Sequence, residues 1–286
     1  MIIDKLFEAV EKKGHVCVGL DTDLSYIPEA FAKKQNGVSE ALFQFNKKII
    51  DATIDQASCF KVQIAYYEAL GLEGLIAYKK TLEYLRNEDT IIIADIKRGD
   101  ISKTAEMYAK GHFEGDFEAD FITLSPYMGL DSIEPFLKYI ESGKKGVFPL
   151  IRTSNAGAKD IQYIKDENGE RIFNVVGNKI QQLGHDYLGN CGYSGIGGVV
   201  GCTHREEAVE IRKTLNEMFF LIPGYGAQGG AADDIKALLQ NGNGGVVNSS
   251  RGILLAYKDQ EDGEQKFDEY ARQEAIKMRE AIQNVI

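Results

Sequence analysis

Sulfur is sparse in this chain, long apolar runs are missing, and positive charge is in deficit; each shortage removes a class of function. The four cysteines, Cys17, Cys59, Cys191 and Cys202, show no CxxC spacing. Three of them fall in or beside apolar strand candidates, where a reduced thiol behaves as a small hydrophobe, so neither a disulfide framework nor a zinc site is indicated. No apolar run approaches the roughly 20 residues of a membrane span, and residues 1–10 read as a charged amphipathic helix rather than a signal sequence. A cytoplasmic protein without a membrane partner is expected. Lys and Arg number 33 against 43 Asp and Glu, a net charge of −10. Such a surface repels polyanions, so no nucleic-acid partner is expected, and any small anion must be gripped locally by backbone N–H groups and a few placed cations. Internal repeats, low-complexity tracts and Pro-rich linkers are also missing.

What is present is a repeating alternation. Short apolar runs at 16–20, 59–63, 91–95, 120–124, 146–150, 196–200, 219–222 and 245–247 are separated by amphipathic helical segments, the pattern of βα units feeding a parallel sheet. Eight runs predict an α/β protein, a (β/α)8 TIM barrel; a doubly wound open sheet is the alternative. With 286 residues, 44% of them hydrophobic, the chain is long enough for one barrel-sized domain over 1–286, with elaborated loops at about 22–58 and 155–190. Asp131 with Glu134, and Thr203 with Glu206, read as capping boxes.

Active sites of such barrels lie at the C-terminal strand ends, and those ends are polar here. The first strand ends Gly19-Leu20-Asp21, the second runs Cys59-Phe60-Lys61-Val62-Gln63, and the third continues Ala94-Asp95-Ile96-Lys97-Arg98-Gly99-Asp100-Ile101. Side chains two apart on a strand share a face, so Asp95 and Lys97 project together, while Asp100 lies in the turn before a helix near 102–110. Asp21, Lys61, Asp95 and Lys97 thus converge on one pocket, in alternating charge that compensates its own burial. A strand-end salt bridge, or a lysine reaching to water, is the plainer explanation of each residue taken alone. After the fifth strand, Arg152-Thr153-Ser154-Asn155 suits a polar heterocycle, or a capping turn. After the seventh and eighth come Pro223-Gly224-Tyr225-Gly226-Ala227-Gln228-Gly229-Gly230 and Asn248-Ser249-Ser250-Arg251-Gly252, in the two loops that commonly bind phosphate in such barrels. None of His15, His112, His185 and His204 is expected to be catalytic.

Taken together, Gly19-Leu20-Asp21, Phe60-Lys61-Val62-Gln63, Asp95 to Ile101, Thr153-Ser154-Asn155, the 223–230 loop and Ser250-Arg251-Gly252 resemble the orotidine 5′-phosphate decarboxylase family, over most of the chain and in its longer bacterial subgroup. The resemblance implies conversion of orotidine 5′-monophosphate to UMP and CO2, with no cofactor and no metal. It implies a catalytic array of Lys61, Asp95, Lys97 and Asp100, the last supplied across a homodimer interface. Lys97 would stabilise and protonate a carbanion at C6. It assigns Asp21 and Lys61 to the ribose hydroxyls, Ile101 and Thr104 of the partner subunit to the nucleotide, and Ser154 to the pyrimidine amide edge. Gln228, Arg251 and the backbone at Gly252 would grip the 5′-phosphate. Two readings compete with it: a Mg2+-dependent sugar-phosphate aldolase or decarboxylase of the same superfamily, and a catalytically silent nucleotide-binding barrel. The glutamine in the 226–230 loop argues against the first, and the full Lys-Asp-Lys-Asp set against the second.

Overall fold

The computed structural model describes residues 1–201, 205–225 and 232–286. Its strands are β1 (Val16–Leu20), β2 (Cys59–Gln63), β3 (Ile91–Arg98), β4 (Phe121–Leu124), β5 (Gly146–Arg152), β6 (Gly198–Val200), β7 (Phe220–Pro223) and β8 (Gly245–Ser249). All pair in parallel in chain order, and β8 returns to β1, so the sheet closes into the expected (β/α)8 barrel. Helix α1 (Ile2–Lys13) precedes the barrel. Helices α2 (Val38–Thr53), α3 (Gly71–Arg86), α4 (Ser102–Phe113), α5 (Glu134–Glu141), α6 (Ile172–Gly184), α7 (Arg205–Thr214), α8 (Ala232–Leu238) and α9 (Phe267–Gln283) follow the strands in turn.

The two-residue period of the strands separates two cores. Val18, Leu20, Phe60, Val62, Ile92, Ala94, Ile122 and Leu124 face outward and pack beneath the helices. Cys17, Cys59, Ile93, Phe121, Phe148, Val199, Leu221 and Val246 face inward, where Ile3, Leu6 and Val10 of α1 join them and close one end of the barrel. Cys17 and Cys59 are buried and unbridged, as small core hydrophobes. Two residues further along four of these inner faces the apolar floor gives way to polar groups: Cys59 leads to Lys61, Ile93 to Asp95, Phe121 to Thr123 and Val246 to Asn248. The site is therefore built on rigid strand ends.

Some boundaries differ from the sequence expectation. β3 runs on to Arg98 because its register with β4 shifts between Ala94 and Arg98, a bulge that apolar periodicity does not reveal. β6 begins only at Gly198, Ile196 being joined to Val147 by an isolated bridge. The capping box at Asp131 is not formed: Leu130–Ser132 is a 3-10 turn, and α5 starts at Glu134 with Pro135 in its first turn, where a missing N–H is harmless. Thr203 of the other expected box lies outside the described residues. Within 22–58 the chain forms a 3-10 turn, a short helical turn and the long α2; within 155–190 it forms a short helix, a Lys165–Arg171 bridge and α6.

Candidate active site

At the C-terminal ends of the strands a cavity of about 480 Å3 opens, within the range of small-ligand pockets. A larger surface groove of about 770 Å3 lies beside residues 24–32, away from the strand-end charges. One wall of the cavity is Lys61, Asp95, Lys97 and Thr123. Asp95 is the hub. Its Oδ1 accepts from Lys97 Nζ at 2.6 Å and from the Thr123 hydroxyl at 2.8 Å; its Oδ2 accepts from Gln63 Nε2 at 2.8 Å and lies 3.1 Å from Lys61 Nζ. Lys61 in turn donates to Asp21 Oδ1 at 2.8 Å. The four residues expected to converge are thus joined in the chain Asp21, Lys61, Asp95, Lys97.

The two lysines differ in their surroundings. The Lys61 side chain is only 4% exposed, whereas that of Lys97 is 45% exposed and opens to the cavity. Burial would lower the Lys61 pKa, but the adjacent Asp21 and Asp95 carboxylates outweigh it and raise the value, so Lys61 stays charged. Lys97 has φ 45°, a left-handed conformation uncommon outside glycine and maintained only where the surroundings enforce it. Glycine is required elsewhere by space: a Cβ on Gly19 would lie 2.0 Å from Ser250 Oγ, where β1 passes the loop bearing Arg251.

For Asp95, burial acts to raise the pKa, yet the charges of Lys61 and Lys97 with the Lys97 and Thr123 hydrogen bonds prevail, holding it at about 2, below the ordinary 3.8. A carboxyl whose folded pKa is depressed stabilises the fold above its unfolded pKa, and that contribution is lost as pH falls toward the folded value. Between pH 4 and pH 2 the Tm of the wild type should therefore fall more steeply than that of Asp95→Asn, which starts lower. Parallel Tm curves over that window would contradict the linkage.

Opposite this array, Thr153, Ser154, Asn155 and Gln162 form a polar wall, and Leu150, Val199, Leu221 and Pro223 contribute apolar surface between them. Arg152 does not join that wall. Its buried guanidinium turns away to Glu207 at 2.8 Å and Tyr163 at 2.9 Å, tying β5 to α7 because a buried cation needs a paired anion. The long connection after β5 acquires a role here: Gln162 accepts the Thr153 N–H at 2.9 Å and donates to the Thr153 hydroxyl at 2.7 Å, bracing the loop that carries Ser154. Asn248, at the end of β8, also lines the cavity.

The remaining expected residues lie apart. Asp100, Ile101 and Thr104 sit beyond β3 at the start of α4, outside the cavity lining, and Asp100 Oδ1 accepts the Ile101 N–H. Arg251 and Gly252 open a short helix, Arg251–Leu254, and both are exposed. Gln228 lies outside the described residues, as does His204. His15 and His112 are buried away from the cavity with pKa values depressed to about 4, chiefly by burial, and His185 pairs with Glu217 at the surface. Thr123 and Gln162 were not singled out from sequence, and Asn248 was read there only as the start of the loop bearing Arg251. Thr123 and Asn248 share the inner-face parity of Asp95 and were findable from it; no sequence pattern points to Gln162.

Comparison with known proteins gives this geometry a family. The model of the "Orotidine 5'-phosphate decarboxylase / HUMPS family" matches residues 14–265. The orotidine 5′-phosphate decarboxylase of Clostridium acetobutylicum is 66% identical over 286 residues, covering all of both chains, and that of Clostridium kluyveri is 63% identical over 282 residues, 99% of this chain and 97% of its own. Among solved structures, Leishmania donovani OMP decarboxylase superposes with a TM-score of 0.78 at 28% identity, covering 99% of this chain and 97% of that one. The Methanocaldococcus jannaschii enzyme complexed with the inhibitor BMP has a TM-score of 0.64 over 94% of this chain and 98% of its own; at 21% identity it speaks to the fold alone. Matched over residues 14–265 by the family model and over its full length by a relative of 66% identity, this chain belongs to the orotidine 5′-phosphate decarboxylase / HUMPS family.

Proposed function

We propose that this chain decarboxylates orotidine 5′-monophosphate to UMP and CO2, with Lys97 as the group at C6. The observation that carries the mechanism is the cavity-facing Lys97 ammonium braced at 2.6 Å by a carboxylate that a second, buried lysine also holds. When the bond from C6 to the carboxylate breaks, its electron pair stays in an sp2 orbital at C6 that the ring cannot delocalise. A fixed ammonium there stabilises the developing carbanion and then delivers its proton to C6. Asp95 keeps Lys97 aimed, and Lys61 keeps Asp95 ionised.

The other roles follow the same assignment. Asp21 and Lys61 hold the ribose hydroxyls, and Ser154 meets the amide edge of the pyrimidine. Gln228, Arg251 and the Gly252 backbone hold the 5′-phosphate, whose remote binding energy closes the site around the ring. Asp100, Ile101 and Thr104 of the partner subunit complete it. Support for a homodimer comes from exposed apolar side chains near Asp100: Ile101 at 41%, Met107 at 50%, Tyr127 at 80% and Met128 at 51% exposure.

No cofactor enters this mechanism. Each Asp95 oxygen already has two donors, so a divalent cation would have to displace ammonium groups to bind there. The test is loss of orotidine 5′-monophosphate, followed by ultraviolet absorbance in excess EDTA. UMP and CO2 should form in equal amounts, at an initial rate that chelator leaves unchanged. Absence of turnover would refute the function, and inhibition reversed by Mg2+ would favour the sugar-phosphate alternative.

A further inference from the structure

We infer that Thr123, on β4, is a positioning residue that fixes Lys97 for its reaction at C6; the inference rests on the decarboxylase reading above. Opposite Ala94 on β3 stands Ile122, and opposite Arg98 stands Leu124, so four residues of β3 advance while two of β4 do. The two extra residues of the bulge leave the regular ladder, and their amides need another acceptor. Thr123 Oγ1 supplies it, accepting the N–H of Ile96 at 3.0 Å and the N–H of Lys97 at 2.9 Å. Its own O–H donates to Asp95 Oδ1 at 2.8 Å, the same oxygen that holds Lys97 Nζ.

One buried hydroxyl therefore controls Lys97 from both ends. It holds the backbone in its left-handed conformation, and it fixes the carboxylate against which the ammonium rests. Threonine suits the position twice, since its β-branched body fits a strand and its hydroxyl can accept two bonds while donating one. Without the hydroxyl the bulge amides have no acceptor, Asp95 Oδ1 keeps Lys97 as its one donor, and Lys97 shifts relative to C6.

The experiment separates hydroxyl chemistry from packing. Thr123→Val keeps bulk and strand propensity but loses the oxygen; Thr123→Ser does the reverse. Each variant is assayed for kcat and KM with orotidine 5′-monophosphate, for UMP affinity and for Tm. Displacement of a reacting group by about 1 Å is worth about 10²-fold, so Thr123→Val should lose about that in kcat with KM and UMP affinity within about threefold of wild type. Thr123→Ser should recover most of the loss. A packing role predicts the opposite order, with valine the better substitute. Valine retaining wild-type kcat, or serine no better than valine, would overturn the inference. If the valine protein does not fold, Thr123→Ala against Thr123→Ser makes the same comparison. Turnover missing in the wild type itself would overturn the decarboxylase reading and this inference with it, whereas an active wild type with an equally active valine variant overturns this inference alone.

Discussion

Inactive Lys97→Ala and inactive Asp100→Asn proteins, mixed in equal amounts under conditions that exchange subunits, should recover about a quarter of wild-type activity. The reason lies in where the two residues stand. Lys97 opens to the cavity at the end of β3, while Asp100 is past the strand, outside the cavity lining, at the head of α4. Ile101 beside Asp100, Met107 on α4, and Tyr127 and Met128 in the turn after β4 are exposed apolar side chains, the kind of surface a second copy of the chain would cover. In the proposed two-fold dimer, Asp100 of the partner subunit would enter the site of its neighbour. Each heterodimer then has one site carrying both lesions and one carrying neither. Random exchange makes half the dimers mixed, and half of their sites are intact, which gives the quarter. Heterodimers demonstrated by mass or tag but without recovered activity would return Asp100 to its own chain's site.

Much of this architecture was legible because it is written with a period of two. Continuous apolar runs marked strands buried on both faces, and eight of them closed the barrel; polar residues at the ends of runs marked the rim where chemistry is done. Lys61, Asp95 and Lys97 could be grouped because strand parity alone puts the last two on one face. What escaped was set by contacts between segments distant in sequence. The β3 bulge arises from register against β4, so neither the length of β3 nor the acceptor role of Thr123 was visible in the local pattern. Arg152 looked like part of a ligand cluster beside Thr153, but a register shift of β5 against β6 between Leu150 and Arg152 and a distant anion, Glu207, draw it away. Gln162 braces the Ser154 loop from a segment with no periodic signal. The capping box at Asp131 yielded to Pro135, whose ring fixes where α5 begins.

Lys97→Ala is the most direct test, because Asp95, Lys61 and Thr123 act on the chemistry through that ammonium group. Removing it leaves Asp21, Lys61, Ser154 and Arg251 in place, so the folded variant should bind UMP with affinity close to wild type. Its kcat should fall by at least the roughly 10²–10⁴-fold of a general acid, and further for the lost charge at C6. The decisive measurement is single-turnover decarboxylation of orotidine 5′-monophosphate by Lys97→Ala at saturating enzyme, where binding no longer limits the rate. A rate below about a hundredth of wild type, with UMP still bound, is the predicted result; a folded, UMP-binding variant that keeps more than about a hundredth would show that another group protonates C6.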